Sequence, residues 1–313
     1  MHIFNTKDTI ASLPYKELII AIKNMFIEQY TIPLRHIHPL DSQDSDASLL
    51  IMPAWQTDYL GVKHVLIYPN NAKRHQKQGL YSTYNLYDND SGEPLAIMDG
   101  NVITCRRTAA ASALAADYLA RPDATKLLIV GAGNVAREIA YAYAAVRNIK
   151  QVQIWNPTHA RAEALAQILV DDGFDAHAVT DLEEAVQNND IVSCATLSNK
   201  PLILRRWVQP GTHIDLIGSF RPNMRESDSD LFEDTSVFID TSEALIKSGD
   251  LLEAINDGKL KKENIIADLA DLCNLRHVGR KNKEEITIFK AVGSAGEDLA
   301  AAILIYESQA KSL

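Results

Sequence analysis

The chain of 313 residues has few cysteines, no long apolar run and no excess of positive charge. Its three cysteines, Cys105, Cys194 and Cys273, show no CxxC spacing. This argues against a disulfide framework or a zinc site and predicts reduced thiols in a cytoplasmic protein. No apolar run approaches the roughly 18 residues that a membrane helix needs. Residues 1–7 also lack the charged and then apolar pattern of a signal peptide, so we expect neither a membrane span nor secretion.

The charge balance restricts the classes of partner. The chain carries 31 basic and 41 acidic residues, a formal net charge of −10, and the basic residues are scattered. This disfavours nucleic acid as a partner. A hydrophobic content of 46% and a charged content of 23% are typical of a soluble globular protein, and the length is sufficient for about two domains.

Residues 126–140 carry the most informative short pattern in the chain. The apolar run 127–130 is typical of a buried parallel strand, and the glycine-containing segment 131–136 turns it into a helix. A second strand is predicted over 151–155, some 20 residues further on, which is the expected spacing for a dinucleotide-binding βαβ unit. The alternative is a glycine-rich turn that binds no ligand.

Each residue of the glycine segment has a separate role in this interpretation. Gly131 would permit the tight turn, Gly133 would let a pyrophosphate approach the backbone, and Ala136 would let the helix pack closely on the strand. The N–H groups of the first helical turn, at Asn134 and Val135, would face the phosphates.

From residue 126 onwards, short apolar runs alternate with helical patterns. Further strands are predicted at 176–179, 191–195, 212–217 and 237–240. This alternation predicts an α/β fold with a doubly wound parallel sheet. Ligands bind beyond the carboxyl ends of such strands, so Thr196, Ser198, Gly218 and Ser219 are expected to face the cofactor.

The region before this sheet has a different pattern. An amphipathic helix is predicted over 13–30, and residues 31–105 favour a mainly antiparallel sheet, with one buried strand ending at Pro53. Lys63 lies within a strand-like run. Such a lysine either points outward or is buried with a partner, in which case its pKa falls and it can serve in acid–base work.

Charged residues stand near the starts of two predicted helices. Arg106 and Arg107 precede an alanine-rich helix over 109–119, where their charge opposes the helix dipole. Either a bound anion or simple solvation explains them. Asp298 lies in the first turns of a helix predicted to run to about Gln309, where a carboxylate is favourable without any further role.

Several stretches outside the glycine segment add a more specific pattern. They are Leu86-Tyr-Asp, Gly92-Glu-Pro-Leu-Ala, Met98-Asp-Gly100, Thr104, Arg107-Thr-Ala-Ala-Ala-Ser-Ala-Leu-Ala-Ala116 and Phe289-Lys-Ala-Val-Gly293. With Val130-Gly-Ala-Gly-Asn-Val-Ala136, they resemble the ornithine cyclodeaminase/mu-crystallin family over nearly the whole chain. The resemblance implies a homodimer whose subunit has a Rossmann domain, residues 121–289, inserted into an α+β substrate-binding and dimerisation domain, residues 1–120 plus 290–313.

The resemblance also implies a set of substrate residues. Members of the family handle an imine beside a carboxylate. The family pattern places the carboxylate-binding arginines at Arg35 and Arg107, a substrate-facing lysine at Lys63, and Met52 near the substrate. Lys63 would donate a proton or polarise the substrate, held by Asp298, so that Lys63, Arg107 and Asp298 form the expected catalytic group.

One departure from the family pattern narrows the reaction. Ornithine cyclodeaminases and the related alanine dehydrogenases have an aspartate that engages the substrate amine or activates water, and the matching position here is Phe220. A phenyl ring can do neither. The run 218–226 resembles instead the Δ1-pyrroline-2-carboxylate reductase branch, whose substrate is already an imine.

The residue after the second strand bears on cofactor choice. Sites selective for NAD usually place an acid there, which would repel a 2′-phosphate. Asn156 is neutral, and Thr158, His159 and Arg161 follow as candidate phosphate contacts. We therefore predict NADPH as the preferred cofactor, with NADH possible. Pro157 replaces an arginine that is frequent in NADPH-using relatives.

Three alternatives to reduction of a cyclic ketimine remain at this point. One is an ornithine cyclodeaminase that recycles bound NAD. Another is a non-catalytic protein of the mu-crystallin kind that binds NADPH or a small ligand. The third is an alanine dehydrogenase. No metal is expected in any of the four.

Overall fold

The computed structural model describes residues 1–28, 30–41, 44 and 46–310. The chain divides into two compact units: Met1–Arg107 with Ser294–Leu313, and Thr108–Gly293. The sequence predicts divisions at 120/121 and 289/290. The two units of the structure divide instead at 107/108 and 293/294. The first of these positions lies inside a long helix, whose first turns belong to unit 1.

Unit 1 contains, among its described residues, a six-stranded sheet. Its strands are β1 (His2–Phe4), β2 (His36–Pro39), β3 (Ser48–Trp55), β4 (Tyr59–Ile67), β5 (Leu80–Asp88) and β6 (Pro94–Asp99). Its helices before the division are α1 (Thr6–Ala11), α2 (Tyr15–Ile27), α3 (Asn71–His75) and the start of α4 (Gly100–Leu119). The strand order is β1-β6-β5-β4-β3-β2. Neighbouring strands are antiparallel except for β1, which the sequence pattern does not predict and which pairs in parallel with β6.

The predicted end of a strand at Pro53 is wrong, because β3 continues to Trp55. Alternate residues of a strand direct their backbone N–H groups to the same side. Pro53 therefore faces the same side as Trp55, whose N–H donates to Thr31 O. On that side, Trp55 pairs with Thr31 and Ile51 pairs with His36 across the two strands. Pro53 lies between these two paired positions. A proline is tolerated there because the partner strand is interrupted at that point.

The predicted start of the alanine-rich helix is also wrong. Helix α4 begins at Gly100, so Arg106 and Arg107 lie in its second turn and not at its start. The segment before Ala109 has no apolar periodicity of its own, which is why the pattern misses it. Thr104 and Arg107 are three residues apart in this helix and therefore share a face.

Unit 2 is built on a parallel sheet with eight strands among the described residues. The order is β15-β14-β16-β12-β10-β7-β8-β9. Its strands are β7 (Lys126–Val130), β8 (Gln151–Trp155), β9 (Ala176–Ala178), β10 (Ile191–Cys194), β12 (His213–Leu216), β14 (Ser236–Ile239), β15 (Ile265–Asp268) and β16 (Thr287–Lys290), and a small separate sheet pairs β11 (Asn199–Ile203) with β13 (Arg225–Ser227). Its helices are α5 (Asn134–Ala144), α6 (His159–Asp171), α7 (Leu182–Asn188), α8 (Ala244–Lys247), α9 (Gly249–Asn256) and α10 (Leu269–Cys273).

This architecture confirms the α/β prediction. The predicted strands match observed ones to within about two residues, because buried parallel strands are nearly continuous apolar runs. The elements that the sequence pattern does not predict are short or polar, such as β11, β13, β15 and the four-residue β16.

The last helix, α11 (Ala295–Ala310), belongs to unit 1. It packs on α2 and on one face of the sheet at β3 and β4. No helix within the described residues is long and apolar enough to cross a membrane.

Candidate active site

The glycine segment joins β7 to α5, and its first glycine is required by the fold itself. Gly131 has φ of +118°, a conformation that L side chains rarely adopt. A Cβ atom at this position would lie 2.6 Å from the carbonyl oxygen of Ala195. The chain therefore needs a glycine here whether or not a ligand binds.

Gly133 has no such internal reason to be glycine. It is the N-cap residue of α5 with φ of −86°, and a Cβ atom there would meet no described atom within 4 Å. The first N–H groups of a helix, here at Asn134 and Val135, have no intrahelical partner and attract anions. Open space at a helix N-terminus fits an approaching pyrophosphate, so this segment fits a nicotinamide dinucleotide.

The end of β8 presents no carboxylate. Asn156 is half-buried, and its Nδ2 donates to Thr158 O at 3.0 Å. Thr158 and Arg161 are exposed, and the His159 Nε2 lies 3.5 Å from Glu163 Oε1. The neutral Asn156 and the nearby Arg161 would tolerate a 2′-phosphate.

The loop after β10 is tied down by several hydrogen bonds. Thr196 donates from both N and Oγ1 to Glu226 Oε1, at 2.7 and 2.8 Å. Ser198 donates from N to Thr196 Oγ1 at 3.3 Å and from Oγ to Lys200 O at 2.7 Å. Both residues are half-buried and follow the carboxyl end of β10.

The loop after β12 is buried. The N–H of Gly218 donates to Glu226 Oε2 at 2.6 Å. The hydroxyl of Ser219 donates to Met224 O at 2.7 Å and accepts from the N–H of Asp250 at 3.0 Å. The Ser219 side chain is thus directed into the protein interior, and we would expect only its main chain to serve a ligand.

Glu226 was not predicted as a site residue, although it contacts both loops. It is 0% exposed, and its two carboxylate oxygens connect the loops after β10 and β12. Burial raises the pKa of Glu226 to about 8, with the positive charge of Lys290 opposing and the negative charge of Asp250 adding to the rise. In the sequence it is only the last residue of the run 218–226, and no spacing shows which loops it joins.

The strand register in unit 1 places three side chains in one row across the sheet. Two of them, Met52 and Lys63, were predicted to lie at the site, and the third, Tyr84, was not. Met52 pairs with Lys63, and Lys63 pairs with Tyr84, so all three point to the same face. Their exposed fractions are 8%, 2% and 1%. Of the two alternatives for Lys63, outward-facing or buried, the structure shows the buried one. Helix α11 packs over this face of the sheet.

Lys63 forms a buried ion pair with Asp298 from α11. The Lys63 Nζ lies 2.5 Å from Asp298 Oδ2 and 3.3 Å from Thr104 Oγ1. Burial lowers the pKa of Lys63, and the positive charges of Arg107 and Arg35 add to this fall although Asp298 opposes it. Lys63 thus holds its proton less tightly than an ordinary lysine.

Arg107 shares the same carboxylate. Its Nε donates to Asp298 Oδ1 at 2.9 Å, and its Nη1 donates to Glu297 Oε2 at 2.6 Å. Burial alone would raise the pKa of Asp298, but the charges of Lys63 and Arg107 hold it below its ordinary value. Asp298 is therefore ionised, and each of its oxygens holds one cation. Glu297 was not predicted, and its only signal in the sequence is its position beside Asp298.

The other two arginines differ in position. Arg35 precedes β2, is partly exposed, and lies near enough to Lys63 to lower its pKa. Arg106 lies over the ring of Tyr15, 4.5 Å from its centroid, and donates to Leu13 O. We therefore assign Arg106 to packing, while Arg35, Lys63 and Arg107 remain together as the predicted substrate group.

Phe220 offers no acid–base group in the loop after β12. Its side chain is 39% exposed, and the Arg221 guanidinium lies 5.9 Å from the centre of its ring. No group of three or more potential metal-binding side chains occurs in the part of the chain that the structure describes.

Comparisons with known proteins show which family and which folds the chain resembles. The model of the ornithine cyclodeaminase/mu-crystallin family matches residues 28–312. The Δ1-pyrroline-2-carboxylate reductase of Colwellia psychrerythraea is 34% identical over 319 residues, covering 99% of this chain and 100% of the relative.

Two solved structures share the whole fold. The Δ1-pyrroline-2-carboxylate reductase of Thermococcus litoralis, in complex with NADH and L-proline, is 32% identical with a TM-score of 0.93, covering 100% of this chain and 98% of the other. An archaeal alanine dehydrogenase dimer with bound NAD is 27% identical with a TM-score of 0.91, covering 100% and 97%.

Proposed function

The chain belongs to the ornithine cyclodeaminase/mu-crystallin family, and we propose that it is an oxidoreductase that reduces the cyclic ketimine Δ1-pyrroline-2-carboxylate to L-proline. The six-membered analogue, Δ1-piperideine-2-carboxylate, would be a second substrate and give L-pipecolate. The observation that carries the proposal is the buried group in which Asp298 holds both Lys63 and Arg107.

Arginine side chains would bind the substrate carboxylate. The bonds to Asp298 and Glu297 engage Nε and Nη1 of Arg107 and fix the plane of its guanidinium. Its Nη2 would then be directed at the carboxylate, with Arg35 as the second cation. Two cations on one carboxylate would also fix the orientation of the ring, and positioning is a large part of catalysis.

Lys63 would supply the proton. Reduction of the C=N bond requires a hydride at carbon and a proton at the ring nitrogen, and the bound dinucleotide supplies the hydride. The lowered pKa of Lys63 favours release of its proton, and Asp298 with Thr104 fixes the position of its Nζ. A substrate that is already an imine needs no carboxylate to remove ammonia, which is consistent with Phe220.

For the cofactor we propose NADPH in preference to NADH. The absence of an acid at Asn156 and the presence of Arg161 support this preference. NADH would also serve, since the relative from Thermococcus litoralis is complexed with it. The phosphates would be bound at Gly133, Asn134 and Val135, and Thr158 would lie beside the 2′-phosphate.

We also propose a homodimer, as in the archaeal alanine dehydrogenase. The sheet face opposite Lys63 supports it, because the half-buried Leu60, Val62 and Tyr87 line an open depression there. Light scattering on the purified protein would test the mass of the assembly.

The first experiment is a comparison of three reactions. Oxidation of NADPH is followed with Δ1-pyrroline-2-carboxylate, beside the same reaction with NADH and beside L-ornithine with NAD. We expect rapid oxidation with the cyclic imine. Release of ammonia from ornithine without such oxidation would favour a cyclodeaminase, and tight NADPH binding without turnover would favour a binding protein.

A further inference from the structure

The carboxylate of Glu226 connects two loops that belong to neighbouring strands. Strands β10 and β12 pair in parallel, so the loops that follow them leave the same edge of the sheet. Oε1 accepts two bonds from Thr196, and Oε2 accepts one from Gly218. The bonds are 2.6–2.8 Å long. The two bonds from Thr196 favour the ionised carboxylate and oppose the rise in the pKa of Glu226 that burial causes.

The two loops also touch directly. A Cβ atom at Gly218 would lie 2.1 Å from Thr196 O and 2.3 Å from Glu226 Oε1. A Cβ atom at Gly131 would lie 2.6 Å from Ala195 O. The glycine loop therefore packs against the loop after β10, and that loop packs against the loop after β12. Glu226 packs against Gly218 in the last of these three loops.

The main chain at Glu226 is held in turn by the carboxylate of Asp250. The N–H groups of Glu226 and Ser227 donate to Asp250 Oδ1 at 2.8 and 3.1 Å. Asp250 in turn donates from its N–H to the hydroxyl of Ser219. All of these side chains are buried, so water cannot replace a lost acceptor.

We propose that Glu226 is a positioning residue for the nicotinamide dinucleotide, holding the loops at Thr196 and Gly218 at the spacing that the bound cofactor requires. This inference rests on the proposed function, because it assumes that these loops face the cofactor. Glu226 does not touch the cofactor itself and acts through the main chain of the two loops.

The substitution Glu226→Gln tests this because glutamine has the same shape but accepts at only one end. Whichever way the amide is turned, its NH2 group faces either the N–H of Gly218 or both donors of Thr196. One loop therefore loses its acceptor. Thr196→Val is the milder variant, since it keeps the branched shape and the N–H bond to Glu226. It removes the hydroxyl, which donates to Glu226 and accepts a longer bond from the N–H of Ser198.

Asp190→Asn is the matched control. Asp190 also accepts from two backbone N–H groups, those of Thr125 and Lys126, and from Arg121. It lies at the amino ends of β7 and β10, the opposite edge of the same sheet from the cofactor loops. Loss of its carboxylate should lower stability without changing the cofactor loops.

The readouts are the Kd for NADH and NADPH from fluorescence without substrate, KM and kcat, the thermal midpoint, and amide hydrogen exchange around Thr196 and Gly218. We expect Glu226→Gln to raise Kd and KM for the dinucleotide about tenfold or more and to speed exchange in both loops. Thr196→Val should raise Kd by a smaller factor, and Asp190→Asn should leave Kd within about twofold.

Unchanged Kd in Glu226→Gln would overturn the inference while the proposed function stands. Equal loss of affinity in Glu226→Gln and Asp190→Asn would also overturn it, because the effect would then follow general stability. If Glu226→Gln does not fold, an unchanged Kd in Thr196→Val overturns it. Failure of the wild type to bind either dinucleotide would overturn the proposed function and this inference together.

Discussion

The Nζ of Lys63 lies 2.5 Å from Oδ2 of Asp298, and both side chains are buried. The second oxygen of the same carboxylate accepts from Arg107. An isolated buried charge is strongly unfavourable, so a buried lysine of this kind needs its partner. The pair therefore determines at what pH Lys63 carries the proton that the proposed reaction uses.

Asp298→Asn should shift the pH dependence of turnover to lower pH. The carboxylate opposes the fall in the pKa of Lys63 that burial and the neighbouring arginines cause. Without it the pKa of Lys63 falls further, so the protonated form is lost at a lower pH and the upper pH limit of kcat moves down. Profiles of kcat against pH measure this shift.

Glu297→Gln is the control, because Glu297 contacts Arg107 and should alter substrate KM more than the upper pH limit. A limit that stays fixed or rises in Asp298→Asn would contradict the role of the pair.

Lys63→Ala should lower kcat by about 10²–10⁴, the usual contribution of a positioned proton donor, while the Kd for NADPH is retained. His64→Ala is the matched control, since His64 is the next residue of β4 and points to the opposite face of the sheet. It should keep near-normal turnover when light scattering shows that the dimer is intact, because His64 also lines the depression on the proposed dimer face. Steady-state kinetics with Δ1-pyrroline-2-carboxylate and fluorescence titration with NADPH measure the two effects. Normal turnover in Lys63→Ala would exclude Lys63 as the donor.

The features that sequence predicts here are the ones that local patterns encode. The parallel strands of unit 2 are apolar runs, and the glycine segment has a fixed spacing, so both were predictable. Lys63 was ambiguous, because whether a strand residue faces a helix or solvent depends on the register and on α11, far along the chain. Glu297 and Glu226 were missed for the same reason. Their partners lie 190 and 30 residues away in the chain, and no local pattern indicates such pairs.

The two glycines of the glycine segment should respond differently to alanine. Gly133→Ala places a methyl group in open space and should change the free energy of unfolding by about 1 kcal/mol at most, yet it should raise the Kd for NADPH at least tenfold. Gly131→Ala places a methyl group against Ala195 O at a positive φ, so the apoprotein itself should be destabilised, by about 1–3 kcal/mol. Denaturant unfolding of the apoprotein and NADPH titration separate the two. Unchanged NADPH binding in Gly133→Ala would show that the pyrophosphate lies elsewhere.

Asn156→Asp should reverse the cofactor preference. A carboxylate at this position would repel the 2′-phosphate of NADPH and accept from the ribose hydroxyl of NADH. We expect the ratio of kcat/KM for NADPH to that for NADH to fall by at least about tenfold, mainly through KM for NADPH. Asn156→Ala is the control, because it removes the side chain without adding charge. A ratio that changes equally in both variants would mean that the charge at residue 156 does not select the cofactor.

Gly61→Ala should destabilise unit 1 because of Tyr84. A Cβ atom at Gly61 would lie 2.0 Å from the Tyr84 hydroxyl oxygen and 2.6 Å from Cζ, and this ring is 1% exposed. A buried ring has little room to move, so overpacking should lower the free energy of unfolding by about 1–3 kcal/mol.

Tyr84→Leu shortens the side chain and should relieve the overlap. Denaturant unfolding of the two single variants and the double variant gives their coupling. The double variant should be more stable than the sum of the two losses predicts, because the leucine no longer reaches the new methyl group. Strict additivity would show that the overlap at Gly61 is relieved in some other way, through a shift of β4 against β5.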